Sequence, residues 1–161
     1  MSMTPGPETA VGALMAPVVA CLRGDDQGVG VLLDGACEEG VVGPALQAAP
    51  KVVGVYLRLA PPPDGLERIV RGYADAALAR FADRDVVTVG AECLQVAQLA
   101  APLAEIGRAV FVDVAREHGD RRALQGAIAC CWWCAQLSAH LRECDPVEEA
   151  AAICRYVARV A

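Results

Sequence analysis

Four short, β-branched apolar runs constrain the fold most: residues 16–21, 52–59, 85–89 and 109–114. They show little polar alternation, as expected for strands covered on both faces. Between them, Leu66, Ile69, Val70, Tyr73, Ala77, Leu78 and Phe81 recur at three- and four-residue spacings, and Leu94, Ala97, Ala101 and Ala104 do likewise. Two further helical patterns occupy 121–144 and 146–160. Alternation of strand and helix predicts a single α/β domain over 1–161, with 1–12 as a loose N-terminal tail. The expected architecture is a three-layer αβα sandwich with a mostly parallel, twisted sheet and right-handed crossovers. Ligands in such a sheet bind beyond the carboxyl ends of the strands. That rule singles out Asp25 and Asp26, the segment 90–92, and Asp113.

The core of such a domain must be built from small side chains, because the chain is 55% hydrophobic but only 4% aromatic, with 31 Ala and 21 Val. Polar chemistry is scarce. There is no Asn, Ser occurs only at positions 2 and 138, Lys51 is the one lysine, and His118 and His140 are the two histidines. Function must therefore rest on carboxylates, Arg, Cys or those His. A net charge of -6 with scattered Arg lacks the basic stripe of a nucleic-acid binder. The longest apolar stretch, 10–22, is broken by Pro17 and falls short of the ~20 residues that span a bilayer. Without a basic leader or a small-x-small cleavage pattern, a cytoplasmic location is expected, where the eight Cys would be mostly buried free thiols.

Three segments can carry chemistry. In RGDDQGVG, residues 23–30, the paired carboxylates either cap a helix start or hold a cation together with a neighbouring strand end. Asp113, in VFVDVA, is either that partner or a cap for the next helix. In CCWWCAQLSAHLREC, Cys131, Cys134, His140 and Cys144 have a C-x2-C-x5-H-x3-C spacing close to small zinc modules. The same residues have helical periodicity, which also permits buried helix thiols or a redox pair. Adjacent Trp132 and Trp133 point roughly 100° apart on a helix, which leaves core packing and ligand stacking open. Glu92 caps a helix or orients a substrate, and His118 is a loop residue near the same strand ends.

The order RGDDQGVG, VFVDVAREHGD and LSAH (137–140) resembles the nickel-iron hydrogenase maturation endopeptidases. The resemblance runs from about residue 18 to 140, with gaps. It implies a hydrogenase maturation protease-like fold in which Asp26, Asp113 and His140 read a nickel ion carried by the substrate. The reaction implied is removal of a C-terminal extension from a hydrogenase large-subunit precursor, without nucleic acid or membrane as partner. Two carboxylates and an imidazole suit a borderline divalent ion, and such a cut needs no Ser triad. The segment 51–82 is expected to supply, relocated, the strand-helix unit that the family carries after its His. Two alternatives stand beside this reading: a non-catalytic binding or assembly module of the same fold, motivated by that rearrangement and the extra Gln27, and a Cys/His zinc or redox protein.

Overall fold

A computed structural model of the chain describes residues 6–62 and 65–160. Among them are eight helices and no strand: α1 (Pro7–Leu22), α2 (Asp26–Glu39), α3 (Val42–Leu59), α4 (Leu66–Phe81), α5 (Arg84–Val96), α6 (Leu103–Arg116), α7 (Asp120–Arg142) and α8 (Pro146–Val160). The three-layer α/β sandwich and its parallel sheet are thereby overturned. All four apolar runs lie in helices: 16–21 in α1, 52–59 in α3, 85–89 in α5 and 109–114 in α6. With no sheet edge to fill, the segment 51–82 is not a relocated strand-helix unit. It is the end of α3 followed by α4. Helix α1 begins at Pro7, inside the stretch expected as a tail.

Why these runs are helical follows from what surrounds them. A run apolar on every side is compatible with a strand covered on both faces and equally with a helix enclosed by others. Val loses only a few tenths of a kcal/mol relative to Ala in a helix, less than the ~1.5–3 kcal/mol gained by burying its side chain. Val52 and Val53 in α3, Val86 and Val89 in α5, and Val18 in α1 are each fully buried against neighbouring helices.

Helix α7 is the axis of the molecule and packs against every other helix. Residues 126–132 are buried without interruption, nearly two turns, so no face of this segment meets solvent. Its small side chains permit close approach. A Cβ on Gly126 would stand 2.5 Å from Val89 Cβ and 2.9 Å from the Val86 carbonyl oxygen, and one on Gly90 would stand 2.9 Å from the Gly126 carbonyl oxygen. Helices α5 and α7 thus cross backbone to backbone at two glycines. The few aromatics lock α4 onto this axis. Phe81 meets Trp132 edge-on at 5.5 Å, Tyr73 meets Trp133 at 6.1 Å, and the Tyr73 hydroxyl donates to the Val86 carbonyl at 3.3 Å.

Helix α8, by contrast, lies mainly on α1 and more lightly on α7 and α3. It runs antiparallel to α3 and leaves a groove between the two.

Candidate functional site

Asp25 is the N-cap of α2, its carboxylate accepting from the Gly28 amide at 2.9 Å. The capping reading of the paired carboxylates is therefore the observed one for Asp25. Asp26 sits in the first helical turn, where its charge suits the helix dipole, and it pairs with Arg80 of α4. Asp113 lies on the exposed side of α6, and His140 in the last turn of α7, also exposed. Helix α2 packs on α1 and α7, while α6 packs on α3, α5 and α7. Among the described residues, no three His, Cys, Asp or Glu side chains come together in a way that could hold a metal ion. Asp26, Asp113 and His140 are thus not gathered into a nickel-reading triad, nor are Cys131, Cys134, His140 and Cys144 into a zinc site.

The thiols are instead packing elements. Cys93, Cys130, Cys131 and Cys134 are buried and free, while Cys144 is exposed. Burial pushes the Cys93, Cys130 and Cys131 thiols up, and Cys134 is raised first by its hydrogen bond with Cys130 and then by burial. Neutral thiols of this kind are poor nucleophiles and poor metal ligands. Glu92 lies within α5, its Oε2 buried without a partner. His118 follows α6 with Nδ1 3.5 Å from Asp85.

The α3–α8 groove is where the surface concentrates chemistry. A cleft of about 550 Å³ is lined by Val55, Arg58 and Leu59 of α3, by Arg142 at the end of α7, by Cys144 and Asp145 of the α7–α8 turn, and by Glu148, Glu149, Ala152, Ile153 and Tyr156 of α8. A second cleft of about 230 Å³ continues it, sharing Val55, Arg58 and Tyr156 and adding Lys51, Gly54, Leu99, Ala104, Arg108, Val157 and Val160 among its walls. Numbers rise along α8 and fall along α3 from the first cleft to the second. Lys51, Val55, Arg58 and Leu59, and likewise Glu148, Ala152, Tyr156 and Val160, fall at helical three- and four-residue steps, so each set is one face of its helix.

The two ends differ in charge. Lys51, Arg58 and Arg108 converge on the second cleft, which has no carboxylate in its lining, and none of the three has an ion-pair partner among the described residues. The opposite end carries Asp145, Glu148 and Glu149. Glu149 is only 8% exposed. Its Oε2 accepts from Arg142 at 2.7 Å and from the Cys144 thiol at 3.0 Å, while its Oε1 has no partner. That hydrogen bond to Glu149 raises the Cys144 thiol, with a smaller part from burial. The Tyr56 hydroxyl and Ser138 Oγ are also buried without partners among the described residues. Burial pushes Tyr56 up, with Cys131 and Glu149 adding to the effect.

Of the residues that build this groove, sequence singled out Cys144 alone, as a zinc-ligand candidate. Lys51, the chain's only lysine, and Arg58 are seven residues apart, a two-turn spacing that was the one available signal. Arg108 and Glu149 come from other helices and could be added only by the fold. No family model, no curated protein and no solved structure matches the chain.

Proposed function

We propose that this protein is a binding module whose α3–α8 groove receives an apolar molecule bearing an anionic group. One observation carries the reading: Lys51, Arg58 and Arg108, none with an ion-pair partner among the described residues, converge on one cleft of mixed apolar and polar lining in a chain of net charge -6. Arg23, Arg84, Arg155 and Arg159 also lack an ion pair among the described residues, but they do not line this cleft, so convergence rather than the missing pairs sets the three apart. Three cations converging beside Val157, Val160 and Leu99 suit an anion with an apolar body. Ligand sites of this type combine apolar walls with a few placed polar groups, and removing water from the walls strengthens the attraction between guanidinium and carboxylate.

Binding rather than cleavage is also the reading that suits Asp26, Asp113 and His140. The peptidase resemblance asked for strand ends, and those three residues stand on separate helices.

Isothermal titration with dodecanoate and with dodecanol tests this directly. Dodecanoate is expected to bind about tenfold or more tightly than the alcohol, since a charged hydrogen bond contributes ~1.5–3 kcal/mol. In the Lys51→Glu/Arg108→Glu double variant that preference should vanish. Equal affinity for acid and alcohol, or an unchanged preference in the variant, would sink the reading.

A further inference from the structure

The groove does not end at its basic cleft, and its other half carries features that a simple fatty acid leaves unused. Resting on the reading above, we propose that the ligand is a short, apolar, zwitterionic peptide lying along α3 and α8. Its C-terminal carboxylate meets Lys51, Arg58 and Arg108, and its ammonium or a basic side chain meets Asp145, Glu148 and Glu149.

Continuity comes first. The two clefts share Val55, Arg58 and Tyr156, so one molecule can occupy both. From Glu149 to Val160 at ~1.5 Å per residue, the α8 wall runs roughly 16 Å. An extended chain covers at most ~3.3–3.6 Å per residue, so about five residues fill that length.

Charge sets direction. The second cleft offers three cations and no carboxylate. The first offers three carboxylates against Arg58 and Arg142, and Arg142 is already committed to Glu149 Oε2. The acidic end does not stand on its carboxylates alone. Glu149 lines the cleft, is 8% exposed, and keeps Oε1 unpartnered. A buried carboxylate oxygen without a donor is costly, and a ligand N–H that reaches it removes that cost.

The middle fits apolar side chains on a polar backbone. Ala152 in the first cleft and Gly54 in the second add little bulk to walls that carry Leu59, Ile153 and Tyr156. Leu59 is 48% and Tyr156 45% exposed, so the groove is open along its length. An acyl chain lying there would keep much of its apolar surface in water. A peptide instead turns alternate side chains to the floor and leaves its amides solvated.

The test uses the full chain and the peptide Lys-Leu-Ala-Leu-Leu, with titration calorimetry as readout. Expected is binding that falls about tenfold on C-terminal amidation and comparably on replacing Lys by Gln with N-acetylation. Arg58→Glu should act like amidation and Glu148→Lys like loss of the basic end. Ala152→Trp, at an exposed helical position whose fold is checked by circular dichroism, should block the groove and abolish binding. Peptide affinity unaffected by Ala152→Trp or by Glu148→Lys overturns the proposal. Binding of dodecanoate without binding of the peptide also overturns it and leaves the apolar-anion reading standing. If neither ligand binds, both fall.

Discussion

The centre of α7 and the α3–α8 groove are built from similar small residues, yet they use them for opposite ends. Around Gly126, small side chains bring helices so close that a methyl group has no room. In the groove, Gly54 and Ala152 each line a cleft beside larger side chains, and a Cβ on Gly54 would meet its nearest neighbour only at 3.5 Å. Polar groups follow the same division. The axis buries thiols, which cost little to enclose as small hydrophobes, while the groove gathers cations and carboxylates. A small residue is therefore informative only together with the distance to what faces it.

Three experiments press on that contrast. The largest effect is expected from Trp132→Ala, which removes the ring that Phe81 meets edge-on and leaves a cavity at the axis. Urea unfolding should show a loss of about 4 kcal/mol, as for other buried aromatic truncations. A loss under 1 kcal/mol would mean that α4 is not locked to α7 as described.

Next comes one substitution made at two places. Ala is favoured over Gly inside a helix by ~1 kcal/mol, so steric room alone decides the sign. At Gly126 the added Cβ meets Val89 Cβ at 2.5 Å, and Gly126→Ala should destabilise by about 2 kcal/mol through overpacking. At Gly54 the nearest atom is the Ala97 carbonyl oxygen at an ordinary 3.5 Å, and Gly54→Ala should stabilise by about 0.5 kcal/mol. Shifts of the same sign at both sites in denaturant titrations would erase the distinction between axis and groove.

The smallest effect near neutrality, growing only in alkali, comes from the thiols. Cys93, Cys130, Cys131 and Cys134 are all raised in the folded chain. Above the ordinary thiol value of ~8.5, the unfolded chain releases protons that the folded chain retains. The folded state then binds more protons, so stability falls as pH rises. Stability should be flat with respect to these groups below that value and decline from about pH 8.5 upward. Cys130→Ala should reduce the decline most, because burial raises its thiol well above the ordinary value, and Cys144→Ser should reduce it less, because that exposed thiol is raised mainly by one hydrogen bond to Glu149. A decline carried mainly by Cys144 would show that the axial thiols titrate freely.

Local sequence signals anticipated some of this. The spacing from Leu66 to Phe81 predicts α4 with its bounds, and the pattern over 146–160 predicts α8. The segment 121–144 reads as helical and is α7 within a residue or two of each end. The paired carboxylates at 25–26 read as a possible cap, and Asp25 is one. Each of these features is local: amphipathic spacing or a polar side chain beside its own helix start. The four Val-rich runs were illegible for the opposite reason. Their apolar character is set by how many neighbours enclose them, and a sequence window contains no record of whether the enclosure is by strands or helices.

The groove lies further still from what one segment can announce. Lys51 and Arg58 share a helix face, but nothing near them indicates that Arg108 arrives from α6, or that Glu149 is enclosed with one oxygen bonded and the other not. By itself the sequence determined that the core is made mainly of small aliphatic side chains, since an aromatic-poor chain with so few Ser, Thr and Asn has little else to bury. The tertiary structure alone decided that α7 is the enclosed axis, and that unpaired cations and carboxylates stand at opposite ends of one groove. Burial and charge convergence are properties of neighbours distant in the chain, and only packing specifies which neighbours those are.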